Sequence, residues 1–162
     1  MIEKLNIDLS QTPEKFQDLG HEILDFLIGK LLLIDALEQE IYDRYQVLEK
    51  KRASPNQTHP DEEDLWDEYA QRCKEIIAPI SIKTYNDSRS FGKPTAYEYL
   101  SYPDTKITLI MKSENRAVVE TYFEHGIAKK EQFVLKKDNN SWKIDTKKYG
   151  FPDEDKWWKD EI

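Results

Sequence analysis

The sequence predicts an α+β fold in which N-terminal helices pack on a curved antiparallel sheet. From Lys106 to Asp145, short runs of β-branched and aromatic residues alternate with turns rich in Gly, Asn, Asp and Ser, which is typical of a strand meander. Before residue 78, apolar residues recur every three or four positions, as in amphipathic helices. The meander needs a cover for its apolar face, and the helices provide one.

The 162 residues are predicted to form a single domain. It divides into an N-terminal extension and helix (1–30), a helical part (30–78), the sheet (79–148) and an aromatic, acidic tail (149–162). The formal net charge of −8 argues against nucleic acid as a partner, because phosphate binding requires clustered Lys and Arg. This charge would attract a basic protein, but it also serves solubility alone.

Targeting signals are not evident in the sequence. Cys73 is the only cysteine, so no internal disulfide can form and a reducing compartment fits. The first residues lack the basic and apolar regions of a signal peptide. The most apolar run, residues 26–34, is shorter than the roughly 18 residues that a membrane span needs. We therefore expect a cytoplasmic chain that does not engage a membrane.

The first helical segment follows an N-terminal arm. Residues 1–11 are predicted to be irregular, and Thr12-Pro13 to start the helix. Helical spacing then continues to residue 52 through Gly20 and Gly29, each of which costs about 1 kcal/mol relative to alanine inside a helix. The pattern leaves open whether 13–52 is one long kinked helix or two helices that break near Gly29.

The second helix is predicted to begin near Asp61 and to end at Pro79, with one continuous apolar face that includes Cys73. Acidic residues crowd its first two turns, where they complement the helix dipole. The same residues could dock on a basic protein, so we take them as candidate partner-binding residues: Asp61, Glu62, Glu63, Asp64, Asp67 and Glu68. Helix capping and solvation explain them without a partner.

The predicted sheet begins with a short edge strand in 79–85 and continues with Tyr97–Leu100. Four further strands are predicted at 107–111, 117–123, 131–135 and 142–145. Depending on register, Glu120 or Thr121 faces the interior. Glu120 with Tyr122 is the one pairing in this sheet that could serve an active site in an apolar cavity, and surface exposure is the favoured explanation for both residues.

Motifs that carry chemistry are missing from the sequence. It has no glycine-rich phosphate loop, no G-x-S-x-G elbow and no H-E-x-x-H metal motif. His21, His59 and His125 lie far apart, and His59 lacks the i, i+4 partner of a helical metal site. We therefore predict no catalytic residue, no metal ion and no cofactor.

The tail contains two adjacent aromatic residues, Trp157 and Trp158, which cannot both be buried on one face of a helix or strand. We include both among the candidate partner-binding residues, one as an anchor on the sheet and the other as a contact with a partner. Packing of the tail on the domain is the alternative.

Four segments within residues 60–150 carry a resemblance to a known family: Gly92–Thr95 before Tyr97, Val118–Thr121, Glu131–Lys137 and Trp142–Tyr149. In these segments the chain resembles the bacterial immunity proteins with a nuclear transport factor 2-like fold. The resemblance implies a cone-shaped sheet and a role in interbacterial competition. Such proteins bind the toxic C-terminal domain of a cognate polymorphic toxin, of the Rhs or contact-dependent kind, and inhibit it stoichiometrically. No binding residue transfers by position, because toxin-contacting surfaces vary with the toxin.

Two other functions stay open at this point. A small-molecule isomerase, a dehydratase or a ligand-binding domain could use the same cone, because a fold does not determine a function. An open apolar cavity with a desolvated carboxylate would favour that alternative, and a cavity filled by Phe133 and Trp142 would oppose it. The other alternative is a scaffold that forms a homodimer through an open sheet face.

Overall fold

A computed structural model describes residues 4–82 and 96–162, and within these ranges the chain forms two α-helices and a six-stranded sheet. The helices are α1 (Gln17–Lys50) and α2 (Glu62–Ile77). The strands are β1 (Asn6–Asp8), β2 (Lys106–Ser113), β3 (Arg116–Phe123), β4 (Lys129–Asp138), β5 (Ser141–Gly150) and β6 (Trp158–Asp160). The predicted α+β class is confirmed, with one long and one shorter helix packed on the sheet.

The strands lie in sequence order from β1 to β6. Each neighbouring pair from β2 to β6 is antiparallel, whereas β1 runs parallel to β2, so the sheet is mixed and open. Asn139 and Asn140 both have positive φ in the two-residue turn between β4 and β5. This conformation suits the twist of a tight hairpin, and asparagine adopts it more readily than most residues.

The four strands predicted within 107–145 are confirmed as β2 to β5, each longer than predicted. The predicted strand at Tyr97–Leu100 is wrong, because Glu98–Ser101 forms a 3₁₀ turn. The Leu100 N–H donates to the Tyr97 carbonyl at 3.1 Å, which closes a turn instead of a strand ladder. The alternating tyrosines are buried by this turn rather than by a strand pleat.

The ends of the sheet also correct the prediction. Residues 1–11 are not wholly irregular, because β1 pairs with β2. The tail contributes β6, and β5 continues to Gly150, beyond the predicted end of the sheet at 148. Of the predicted edge strand in 79–85, Ser81 makes a single bridge to Ile144, and residues 83–85 lie outside the described residues. The segment Gly92–Thr95 also lies outside them.

The structure decides between the two alternatives for the first helix, because α1 runs unbroken through Gly20 and Gly29. It begins at Gln17, so the predicted start at Thr12-Pro13 is too early. The Thr12 hydroxyl instead donates to the carbonyl of Leu109, 2.7 Å away, and so fixes the chain entering α1 to the middle of β2.

The core lies between α1, α2 and the inward face of the sheet. Ile23, Leu27 and Ile34 of α1 are fully buried in the same cluster as Ile107 and Phe133 of the sheet. On the α2 side, the buried residues are Leu65, Tyr69, Cys73 and Ile77. The predicted burial of Cys73 on the apolar stripe of α2 is confirmed, and burial of this kind makes a thiol a packing group.

Candidate functional site

The six candidate acids all lie at the start of α2, but their surroundings differ. Asp61 is the N-cap residue and its side chain is 70% exposed. Glu63, Asp64 and Asp67 are also exposed, whereas Glu62 is 4% exposed. The exposed members lie at the positive end of the helix dipole, as predicted from their sequence position, and their role in binding a partner stays a prediction.

Glu62 is bound to Arg52, which follows α1. The Arg52 Nε and Nη2 atoms donate to the two carboxylate oxygens at 2.6 and 2.7 Å, and the backbone N–H of His59 adds a bond of 3.2 Å. The hydrogen bond from Arg52, despite opposing desolvation, holds the pKa of Glu62 below its ordinary value. Glu62 therefore ties the connection between the helices to α2, and its carboxylate is already occupied by groups of this chain.

Glu68 belongs to a network of ion pairs between the two helices. Arg44 of α1 contacts Glu68 at 2.7 Å, and Arg72 of α2 contacts Glu40 of α1 at 2.7 Å. Weaker contacts of 3.5 and 3.4 Å within each helix close the ring. The hydrogen bond from Arg44 lowers the pKa of Glu68, so this carboxylate stays ionised but is partly neutralised. The network orients α2 on α1.

A groove lies between α1 and α2 at the acidic end of α2, which we call the helical groove. Its volume is about 370 Å³, and it is lined by Arg44, Val47, Leu48, Asp61, Asp64, Leu65 and Glu68. Val47 is 51% exposed although it is apolar. The groove thus combines an apolar floor with a mainly acidic rim, an arrangement that accommodates an apolar side chain flanked by basic groups.

The two tail tryptophans lie at the β5–β6 edge of the sheet, where Trp158 begins β6 and pairs with Tyr149 of β5, and Trp157 precedes it. Trp157 is half-buried and packs on the Lys130 ammonium, 4.4 Å from its ring centre. Trp158 is 41% exposed and has the Lys156 ammonium 3.6 Å from its ring centre. Within the described residues, no hydrogen bond, ion pair or ring contact joins these tryptophans to the acids of α2. The predicted residues therefore form two separate groups.

Sequence reasoning missed a buried polar cluster under the tail. Glu131 is 1% exposed and accepts a hydrogen bond of 2.6 Å from the Tyr99 hydroxyl. The Lys147 ammonium, also buried, lies 3.7 Å from Glu131 and 2.7 Å from Asp160 of β6. Lys129 approaches the same carboxylate at 3.1 Å. The cluster joins β4, β5 and the tail through compensated charges.

The electrostatics of this cluster favour a neutral Tyr99 phenol and a charged Lys147 ammonium. Burial and the neighbouring Glu131 carboxylate raise the pKa of Tyr99 well above its ordinary value, so the phenol stays protonated. Burial lowers the pKa of Lys147, but Tyr97, Glu131 and Asp160 raise it by more, so the ammonium stays charged. One signal could have revealed Glu131: it shares the inward parity of Phe133 and Leu135 on β4.

The pairing of Glu120 with Tyr122 does not lie in an apolar cavity. In the observed register Thr121 faces inward and is buried, so Glu120 and Tyr122 face outward. Glu120 accepts a hydrogen bond from Gln132, and the Tyr122 hydroxyl donates to Glu124. Phe133 and Trp142 fill the inward face and are almost fully buried.

Comparison with known proteins supplies no relative: no family model, curated protein or solved structure matches this chain. Neither helix in the described ranges has the length and apolar character needed to cross a membrane. Within residues 4–82 and 96–162, no three His, Cys, Asp or Glu side chains are grouped as a metal site. The geometry of the surfaces therefore carries the functional argument.

Proposed function

We propose that this protein is an immunity protein that binds the toxic domain of a cognate polymorphic toxin and inhibits it stoichiometrically in the cytoplasm. The observation that carries the proposal is the helical groove, with its apolar floor and acidic rim. A groove of this kind provides the two ingredients of a tight protein interface, a pocket for an apolar anchor and charges that steer a basic partner.

The exposed acids explain why the groove suits a basic protein. Asp61 and Asp64 line it and remain exposed, whereas Glu62 and Glu68 are held by arginines of the same chain. Two carboxylates are thus available at the rim over an apolar floor that contains the exposed Val47. Positively charged side chains on a toxin would approach this rim at an enhanced rate.

The sequence resemblance is compatible with this assignment. The segments similar to immunity proteins, 118–121, 131–137 and 142–149, form parts of β3, β4 and β5 in the middle of the sheet. They make up the scaffold, while the groove lies on the helices. The finer fold expected from the resemblance, a nuclear transport factor 2-like cone, is part of the proposal, as is the absence of catalysis.

The proposal is tested by co-expression with the protein encoded immediately upstream. We expect that protein to arrest growth when expressed alone and to be neutralised by this chain. Replacing Asp61 and Asp64 by lysine should abolish neutralisation and weaken binding at least tenfold. The matched control replaces Glu63 and Asp67 by lysine, which changes the net charge equally on the same helix but outside the groove lining. The control should still neutralise.

Two outcomes distinguish the proposed function from the proposed binding surface, and a folding control accompanies them. If the neighbouring protein is neither toxic nor bound, the assignment as an immunity protein is rejected. If both double variants neutralise equally well, the function stands and the helical groove is not the binding surface. Thermal unfolding of both variants shows whether either has lost its fold instead of its contacts.

A further inference from the structure

The outward face of the sheet carries a row of cations that runs across four strands. Arg116 of β3, Lys136 of β4 and Lys143 of β5 occupy directly paired positions. Lys112 of β2 lies at an irregularity beside Arg116, between the pairs made by Met111 and Ser113. We call these four residues the cationic row. It is notable on a chain whose formal net charge is −8.

The cationic row opposes the stability of the sheet, because like charges at directly opposite positions destabilise an antiparallel pair. Lys136 forms an ion pair with Asp145 at 3.1 Å, and Lys143 forms one with Asp138 at 3.3 Å, so the charges of these two lysines are offset. Lys112 and Arg116 have no ion-pair partner among the residues that the structure describes. Local features that work against the fold without compensation point to a functional role.

A shallow depression of about 460 Å³ lies next to this row on the same face, and we call it the sheet depression. It is lined by Ile110, Lys112, Ser113, Arg116, Val118, Glu120 and Gln132. Ile110 and Val118 are paired across β2 and β3 and form an apolar floor. Lys112 and Arg116 stand at one end of it, and Glu120, held by Gln132 at 3.1 Å, stands at the other.

We propose that the sheet depression and the cationic row bind an acidic segment of a partner protein. An apolar side chain of that segment packs on Ile110 and Val118, while its carboxylates bind Lys112 and Arg116. The Arg116 guanidinium can hold a carboxylate through two parallel hydrogen bonds. This surface is distinct from the helical groove and has the opposite charge, so the inference does not depend on the proposed function.

The chemistry of the lining favours a protein over a nucleic acid. Proteins that bind single strands stack the bases on aromatic side chains, and none of the described residues that line the depression is aromatic. The apolar floor matches a leucine or isoleucine side chain instead.

The test uses the full chain and fluorescein-labelled probes. One peptide alternates glutamate with leucine, a second replaces the leucines by serine, and the third probe is a 15-nucleotide oligothymidine. We expect the glutamate–leucine peptide to bind in a salt-dependent manner, with amide shifts in nuclear magnetic resonance spectra centred on Ile110, Val118 and Gln132. Arg116→Glu should weaken binding at least tenfold, whereas Lys74→Glu, an exposed control on α2, should leave it unchanged.

Arg116→Glu also separates binding from folding, because it places a carboxylate opposite Lys136. Its thermal midpoint should equal or exceed that of the unmodified protein while binding is lost. Three results would overturn the proposal: no binding of the glutamate–leucine peptide, equally tight binding of the serine peptide or oligothymidine, or equal weakening by Lys74→Glu. Self-association that Arg116→Glu abolishes would assign the surface to a second copy of this chain and also overturn it.

Discussion

Gly20 and Gly29 of α1 should respond to alanine with opposite changes in stability. A β-carbon at Gly29 meets no atom within 4 Å, so Gly29→Ala gains the helix propensity of alanine and should stabilise the protein by about 0.5–1 kcal/mol. A β-carbon at Gly20 would overlap Cδ2 of Leu109, which is fully buried in the core, and would lie 3.8 Å from its Cγ. Overpacking of this kind costs about 1–3 kcal/mol, which exceeds the propensity gain.

Urea denaturation followed by circular dichroism measures both changes in the free energy of unfolding. Leu109→Val provides the internal control, because valine lacks the δ-carbon that obstructs the new methyl group. In the Leu109→Val background, Gly20→Ala should lose most of its cost, and the double-mutant cycle should give a favourable coupling of about 1 kcal/mol or more. Destabilisation by Gly29→Ala, or an unchanged cost of Gly20→Ala in the Leu109→Val background, would refute the packing described for α1 on β2.

Three further predictions concern the titratable residues. Tyr99→Phe should cost about 1–3 kcal/mol in urea denaturation, because buried Glu131 loses a hydrogen bond. Folding raises the pKa values of Tyr99 and Lys147, so each contributes stability that is full below about pH 10 and falls above it by up to about 1.4 kcal/mol per pH unit. The phenylalanine variant should have a shallower alkaline slope, because the share of Tyr99 is removed, and an unchanged slope would contradict the assignment. Folding lowers the pKa of Glu62, so the stability contributed by this carboxylate is present above about pH 4.3 and is lost as the pH falls. Arg52→Met should flatten this loss of stability when thermal unfolding is measured between about pH 3 and 6. An unaltered pH profile would show that the Arg52–Glu62 pair does not cause the loss.

The sequence predicts elements whose stabilising contacts are local. The second helix was recognised from its apolar face, and the turn before Ser141 from its two asparagines, because both signals lie within a few residues. Strand β1 was missed because its partner, β2, lies about a hundred residues away and three residues carry too little pattern. The prediction of a strand at Tyr97–Leu100 is wrong because alternating burial occurs in a 3₁₀ turn as well as in a strand.

The same reasoning explains the outcome for the candidate sites. The acids of α2 lie where their sequence position predicted, at the helix start, but which of them are held by an arginine depends on Arg44 and Arg52 across the helix interface. The cluster around Glu131 required knowledge of which strand face is buried. The cationic row required the register between four strands, which no single segment of the sequence contains.

The outermost strands of the sheet restrict how any partner can be recognised. Strands β1 and β6 are three residues long, whereas the strands between them are eight to ten residues long. Recognition by β-augmentation requires an extended edge with a row of open backbone groups, and short edge strands offer few of them. Short edge strands therefore favour recognition through side chains, on the helices and on the outward face of the sheet. Specificity can then change by surface substitution while the backbone ladder of the sheet stays intact.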